Sequence, residues 1–368
     1  MTGTAQLVLV AAPLRLTWWV LLVAGAVVVV VLALVVARHL GWIRAARRRE
    51  AVAAELEPMF ARFLVTEDQT RLAEELRPAI LKMDSAHRPV AAVQVIDLMR
   101  EAGSRERTEA VRQALDEAGI VELAERGTRR FSPWRRALAC ELLGKIGAPR
   151  SVPALLARLE DRRPEVRTAA VRALGDIRSA EAVPALSQAF LERSAAPINV
   201  VGDALRRIGG EEVGPTFEKG VGSSDPVVRV SACFGLAASA ATHGAAVVRL
   251  AEVLASDPDA RVRGAAASGL GIAGGGNAPA ELVAATSDRE VNVRRAAVKA
   301  LGSFDDPATG GTLEARVEDD DREVALRAAE ALLRLAGRPR AGSQAAARLE
   351  SSPAWAVAYV RTVAEVSA

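Results

Sequence analysis

Apolar and polar residues follow a helical period along most of the chain. From about residue 130 onward, apolar and small residues recur at three- and four-residue steps, in segments separated by turns that carry Asp, Pro or Gly. This spacing places the apolar side chains on one face of an α-helix, whereas a half-buried strand would need strict alternation. The pattern predicts an all-α protein made of many short helices.

The helical segments repeat with a fixed period. Every second segment has a large apolar residue near the end of its apolar face, and we call this site the key position. Successive key positions are 31 residues apart, except for one spacing of 34. The key positions are Leu143, Leu174, Leu205, Leu236, Leu270, Leu301, Leu332 and Val363. Two helices and two turns fit in one such unit. A single helix pair cannot bury its apolar face, so the pairs are expected to stack into a solenoid.

The turn residues agree with this division. Asp and Pro suit the start of a helix, and Gly suits its end. Second helices are predicted to begin at Val152-Pro153 and at Val183-Pro184, 31 residues apart. The turns that precede them are assigned to Gly144, Gly147 and Gly175.

An uncharged apolar segment stands near the N-terminus. Residues 16–37 contain no charged residue, and as a helix they would span roughly 33 Å, enough for a hydrocarbon core of about 30 Å. One Arg precedes the segment and five follow it within twelve residues. Positive charge marks the cytoplasmic side, so the N-terminus is expected outside and the remaining chain in the cytoplasm of a bacterial cell. The predicted membrane-interface residues are Trp18, Trp19, Arg38, Trp42, Arg44, Arg47, Arg48 and Arg49.

These observations predict the following organisation. The expected parts are a short outer tail at 1–15, a transmembrane helix at 16–37, a basic juxtamembrane segment at 38–52, an irregular helical part at 53–129, and regular repeats with a C-terminal cap at 130–368.

Charge and composition narrow the possible functions. The net charge is +3, but residues 1–49 hold six Arg and no acidic residue, which leaves 42 basic against 45 acidic residues beyond them. A net −3 disfavours nucleic acid as a partner. Two Cys and three His disfavour a disulfide scaffold or a His/Cys metal site. Cys140 and Cys233 occupy equivalent repeat positions and are interpreted as buried packing residues.

Two further motifs have competing interpretations. GLGIAG at residues 269–274 matches a dinucleotide-binding pattern, but that pattern needs a preceding strand, so we interpret it as the end of a repeat helix. The acidic run from Glu318 to Asp321 could bind a divalent cation. Its place between two repeats favours a turn whose acids cap the next helix.

The repeat units resemble a known family. PEVRTAAVRALGDI and DREVNVRRAAVKALGSF are similar to bacterial HEAT repeats, closest to the short variety found in phycobilisome lyases. The resemblance implies a right-handed α-solenoid in which an Arg–Asp ladder links neighbouring repeats. The matching Arg residues are Arg136, Arg167, Arg229, Arg263 and Arg294. Ile198 interrupts this series, which predicts a weaker joint there, and the 34-residue unit predicts bending around residues 238–280.

A binding function without catalysis fits these features best. The second helices are expected to line a concave face with mixed charges, whose candidate residues are Arg158, Gln188, Glu192, Lys219, Arg249 and Glu252. The predicted function is a membrane-anchored cytoplasmic scaffold that binds an unidentified protein, as an accessory subunit of a membrane or envelope complex, with a glycosyltransferase as one possible partner. No cofactor, nucleic acid or small-molecule substrate is expected. The alternatives are a lyase that acts on a protein-bound chromophore and a nucleic-acid-binding repeat protein.

Overall fold

The computed structural model describes residues 105–239, 245–352 and 354–367, together with individual residues between 19 and 94. Helices, turns and two short 3₁₀ segments make up these three continuous ranges, with no strand. The helices are α1 (Arg105–Glu117), α2 (Ile120–Gly127), α3 (Pro133–Ile146), α4 (Val152–Leu156), α5 (Pro164–Ile177), α6 (Val183–Leu191), α7 (Ile198–Ile208), α8 (Gly214–Val221), α9 (Pro226–Ser239), α10 (Ala245–Ser256), α11 (Ala260–Ala273), α12 (Ala280–Ala285), α13 (Val291–Leu301), α14 (Thr309–Arg316), α15 (Arg322–Ala336), α16 (Gly342–Ser351) and α17 (Trp355–Ser367).

The chain divides into two compact units, residues 1–120 and 121–368. Within the second unit, each odd-numbered helix from α3 packs against the next odd-numbered helix, which forms one continuous layer. The even-numbered helices pack against this layer, and several of them also contact each other. This arrangement confirms the predicted stack of helix pairs.

The key positions form the centre of the core. From Leu143 to Leu332, all seven key leucines are buried, whereas Val363 on α17 is exposed. Alanines fill much of the remaining core beside them. Burial of a Leu side chain is worth about 1.5–3 kcal/mol relative to exposure, so this repeated residue contributes at every level of the stack.

Glycines allow the odd-numbered helices to approach closely. A Cβ on Gly144 would lie 2.6 Å from the Cα of Ala173 in the next helix, and one on Gly175 would lie 2.7 Å from the Cα of Ala204. The assignment of Gly144 and Gly175 to turns is therefore wrong, because both lie within helices and serve as contact points. Gly147 does end α3, with a φ of 73°.

The glycines of GLGIAG have the same packing role. A Cβ on Gly271 would lie 2.8 Å from the Cβ of Ala300, and Gly274 ends α11 with a φ of 58°. Gly275 follows and bridges to Phe304 in the next repeat. The interpretation of this motif as the end of a repeat helix is confirmed.

The unit with the longer period contains its extra residues between α9 and α11. Arg229 pairs with an Asp 28 residues later, whereas the equivalent pairs elsewhere are 25 residues apart. The three additional residues therefore lie between Arg229 and Asp257. Residues 240–244 fall outside the described residues, so the predicted bending around 238–280 stays a prediction.

The N-terminal segment is described only in part. Of the predicted interface residues, Trp19 and Arg47 are described and helical, and the rest lie outside the described residues, namely Trp18, Arg38, Trp42, Arg44, Arg48 and Arg49. Among the described residues, no helix combines the length and the apolar character that crossing a bilayer requires.

Candidate protein-binding groove and inter-repeat ladder

Four arginines link consecutive turns of the stack. Each lies near the start of an odd-numbered helix, and its Nε and one terminal nitrogen donate to both oxygens of an Asp in the following inter-repeat turn, at 2.7–3.1 Å. The other terminal nitrogen donates to backbone carbonyls of the preceding turn. We call these pairs the ladder; they are Arg136–Asp161, Arg229–Asp257, Arg263–Asp288 and Arg294–Asp319.

The ladder pairs are largely shielded from solvent. In each pair both side chains are at most 15% exposed. The hydrogen bond from Arg263 lowers the pKa of Asp288 despite the opposing effect of desolvation, and the hydrogen bond to Asp257 raises the pKa of Arg229. The same Asp carboxylates accept a backbone N–H two residues later. The ladder therefore fixes the turn and joins two repeats at once.

The fifth predicted ladder residue has different partners. Arg167 donates to the backbone carbonyls of Asp161 and Ala195 and has no ion pair among the described residues. The position where other repeats carry the acceptor Asp is Glu192, whose carboxylate accepts from Gln188 instead. The prediction that Arg167 pairs with an Asp is therefore wrong, although the residue still joins two turns.

The interruption at Ile198 is bridged from the turn before it. Arg193 donates to Asp225 at 2.7 Å, across the joint that Ile198 leaves without a ladder arginine. Arg193 and Ala195, in the turn after α6, adopt positive φ angles of 53° and 62°. Arg193 is about half exposed, so this joint has a solvated ion pair in place of a shielded one.

A groove between α8 and α10 contains three of the predicted binding residues. It has a volume of about 660 Å³, and its lining residues are Pro215, Glu218, Lys219, Ala245, Val248, Arg249 and Glu252. Val248, one of these lining residues, is 61% exposed. Arg249 and Glu252 form an exposed pair at 2.8 Å. The groove thus combines an accessible apolar residue with charges of both signs.

The other predicted binding residues lie outside this groove. Gln188 and Glu192 are at the end of α6 and bond to each other. Arg158 was expected on a second helix, but α4 ends at Leu156 and Arg158 lies in the following turn. There it donates to the carbonyl of Thr128 at 3.5 Å and pairs with Asp161 at 3.6 Å. Arg158 therefore contacts a ladder Asp from the turn after α4 and does not lie on the second helix itself, and its role in binding stays a prediction.

The remaining candidate groups have structural roles. Cys140 and Cys233 are fully buried, and burial raises the pKa of each thiol to about 12. In the acidic run, Asp319 accepts from Arg294, and Asp321 accepts the N–H of Val324 at the start of α15. The interpretation of this run as a helix-capping turn is confirmed.

Two features were missed at the sequence level. Arg193 precedes the gap in the Arg series by five residues and lies in a turn with two positive φ angles, and no regular repeat position announces its hydrogen bond to Asp225. Phe131 and Trp134 are exposed on the surface near α3. Their signal in the sequence was the unusual coincidence of two aromatic residues with several arginines in residues 126–136.

Comparison with known proteins agrees with this architecture. Residues 120–206 and 278–365 match the family model for HEAT repeats. No curated protein sequence matches the chain.

Solved structures that match this chain include three that share little sequence with it. An engineered protein has a TM-score of 0.38 and 20% identity, over 79% of this chain and 86% of its own. A chain of the CpcE–CpcF complex of phycocyanin lyase from Nostoc has a TM-score of 0.31 and 18% identity, over 75% of this chain and 93% of its own. The karyopherin Kap121p, bound to the extreme C-terminus of the protein phosphatase Cdc14p, has a TM-score of 0.48 and 13% identity, over 83% of this chain and 42% of its own. Residues 120–206 and 278–365 are therefore similar to HEAT repeats, and the helix pairs of the described residues stack in an all-helical, solenoid-like fold.

Proposed function

We propose that this chain is a non-enzymatic scaffold that binds another protein in the groove between α8 and α10. The observation that carries the proposal is the exposed Val248 between charged residues of both signs, Lys219, Arg249 and Glu252. Apolar anchors surrounded by polar residues are typical of protein interfaces. HEAT repeats in general mediate protein–protein interaction, which supports the same assignment.

The charges of the groove favour a protein over a polyanion. Lys219 and Arg249 stand beside Glu218 and Glu252 in the same groove, whereas a phosphate backbone would need clustered Lys or Arg. The Arg249–Glu252 pair is exposed on both sides. Exposed ion pairs are worth only about 0–1 kcal/mol, so a partner can exchange this pair for its own charged groups at little cost.

We also propose that residues 16–37 anchor the protein in the bacterial cytoplasmic membrane with the repeats in the cytoplasm. The described residues 24–33 of this segment are all helical, and their side chains are exposed. Among them, Val27 to Leu32 form an uninterrupted exposed apolar run. Exposed apolar helices of this kind are stable in contact with lipid. An anchored scaffold suits an accessory subunit of a membrane or envelope complex, for example one that contains a glycosyltransferase.

A crosslinking experiment tests the groove. The full chain carries a photoreactive phenylalanine analogue at position 248 and is irradiated in cells of the source organism. We expect one dominant crosslinked protein, and we expect the Lys219→Glu/Arg249→Glu variant to lose it. Arg172→Glu, at an exposed position on α5, serves as the charge-matched control and retains the product. An unchanged crosslinking pattern in the groove variant would contradict the proposal.

A separate experiment tests the anchor. Cell membranes are washed with alkaline carbonate, and the chain is then detected in the pellet and the supernatant. Retention in the pellet, together with protease access to the repeats only from the cytoplasmic side, is the expected result. Complete release by carbonate would exclude a membrane-spanning helix and would leave the groove assignment to be judged by crosslinking alone.

A further inference from the structure

Three large apolar side chains are exposed near the start of the repeat region. Trp134 and Leu138, four residues apart, lie on one side of α3, and Phe131 lies in the turn that precedes this helix. Phe131 is fully exposed, and Trp134 is 69% exposed. The chain has only 13 aromatic residues, so this exposed pair is a notable share of them. We call Phe131, Trp134 and Leu138 the apolar stripe.

Positive charge surrounds the apolar stripe. Residues 126–163 contain ten Arg or Lys and three Asp or Glu, a net charge of +7. The two flanking regions, 50–125 and 164–368, have net charges of −7 and −3. Arg129, Arg130 and Arg135 are exposed next to the stripe, and none of the three forms an ion pair with a residue that the structure describes. We call these three residues the arginine cluster.

Two members of the arginine cluster stand where other repeats have a ladder acid or a buried valine. Arg130 lies thirteen residues before the key Leu143, the position at which four later repeats carry the ladder acids Asp161, Asp257, Asp288 and Asp319. Arg135 lies eight residues before the key position, where five later repeats bury Val166, Val228, Val262, Val293 and Val324. The repeat fold therefore does not require these arginines, and they give this edge a charge that the other repeats lack.

The backbone beneath this surface is held in place. Arg136 donates to the carbonyls of Arg130 and Phe131, at 3.0 and 2.9 Å, and pairs with Asp161 through two further hydrogen bonds. Because these carbonyls are occupied, the turn has a fixed direction and presents the Phe131 side chain to solvent. The surface is thus preorganised, which reduces the entropy cost of binding.

We infer that the apolar stripe and the arginine cluster together dock on an anionic lipid bilayer. Trp and Phe side chains favour the interface between headgroups and hydrocarbon, and each nearby Arg is attracted by anionic headgroups. Leu138 distinguishes this ligand from a nucleic acid, because an aliphatic side chain enters hydrocarbon but does not stack on a base. The residues of this docking surface lie on and just before α3, and none of them lines the groove between α8 and α10.

A fluorescent probe in the full chain tests this inference. Cys140 and Cys233 are buried, so a Cys introduced by Ser132→Cys can be labelled selectively with an environment-sensitive dye. Vesicles of phosphatidylcholine are compared with mixed phosphatidylcholine–phosphatidylglycerol vesicles. We expect a blue shift of the dye only on the anionic vesicles, and weaker docking at high salt. The same dye attached through Arg172→Cys, away from the stripe, is expected to show no shift.

Two variants separate the contributions of charge and of apolar contact. Arg129→Glu/Arg130→Glu is expected to reduce the ratio of docked to undocked protein at least about tenfold. Phe131→Ser/Trp134→Ser is expected to abolish the blue shift, whereas Tyr359→Ser, at another exposed aromatic, leaves it unchanged. A blue shift that persists in the charge variant overturns the inference, as does a dye that responds to a DNA oligonucleotide and not to anionic vesicles.

The design also separates docking from anchoring. If residues 16–37 do not anchor the chain, the protein will fail to float with phosphatidylcholine vesicles. The docking surface would still make it float with anionic vesicles in low salt. Flotation with both vesicle types and no dye shift on either would support the anchor and overturn the docking inference.

Discussion

Substitution of a ladder arginine should destabilise the stack much more than substitution of Arg193. The exposed pair of Arg193 with Asp225 stands at the joint where a ladder pair is missing. Arg263 is 9% exposed and Asp288 is 14% exposed, and the arginine also donates to two backbone carbonyls. Loss of one partner from a buried pair costs about 3–5 kcal/mol; because Asp288 retains some access to water, we expect about 2–4 kcal/mol for Arg263→Met. Arg193 and Asp225 are 51% and 31% exposed, so Arg193→Met should cost about 0–1 kcal/mol.

Urea unfolding and hydrogen exchange of the full chain measure this difference. Repeat proteins can unfold in parts, so exchange by mass spectrometry is needed to show whether protection falls first in α11 and α13. A double-mutant cycle with Asp288→Asn should give a coupling energy above about 1.5 kcal/mol, and the cycle of Arg193 with Asp225→Asn should give less than about 0.5 kcal/mol. Equal coupling energies for the two pairs would refute the argument that shielding determines their strength.

Three further predictions concern packing, thiol reactivity and acid stability. Gly175→Leu should destabilise by at least about 1–3 kcal/mol, because its Cβ would meet the backbone of α7 at 2.7 Å; Gly264→Ala, whose Cβ has its nearest neighbour at 3.9 Å, should be neutral or slightly stabilising in the same urea titration. The thiols of Cys140 and Cys233, with pKa values near 12, should react with a disulfide reagent at pH 8 only after urea unfolding, and rapid labelling of the native chain would contradict their burial. Arg295 donates to Asp321 at 2.7 Å, and this hydrogen bond is the main cause that lowers the pKa of Asp321 from 3.8 to about 2. The stabilising contribution of Asp321 is therefore present above about pH 4 and lost as the pH falls towards 2, which acid titration of the wild type against Asp321→Asn can measure.

The helix stack was predictable because its determinants are local and repeated. A buried Leu at a 31-residue spacing, such as Leu174 and Leu205, recurs often enough to define the register of every helix pair. The Arg series was predictable for the same reason, and four of its five members have the expected Asp partner. Arg167 is the exception because the sequence places Glu192 where an Asp would be needed, and the longer side chain bonds within its own helix end.

The helix ends were less predictable because a glycine has two uses. Gly147 ends a helix with a positive φ, whereas Gly144, three residues earlier, allows Ala173 to approach. Both uses place a Gly near the key position, and only the position of the neighbouring helix distinguishes a helix-ending glycine from a packing glycine. Arg178 shows the converse case, since it ends α5 with a φ of 58° although it is not a glycine.

The middle of the stack shows why the candidate surfaces depend on non-local contacts. Phe190 and Phe217 meet edge to face with their ring centroids 5.4 Å apart, and Gly202 and Gly220 contact Phe190 where a larger residue would collide with its ring. These large rings occur beside the joint where Ile198 replaces an arginine, so aromatic packing and the exposed Arg193 bridge take the place of the ladder there. The groove between α8 and α10 begins in the same part of the stack, since α8 carries both Phe217 and the groove residue Lys219. The departure from the repeat consensus in α7 and α8 therefore replaces one kind of contact between repeats with another and is not a simple loss of the ladder.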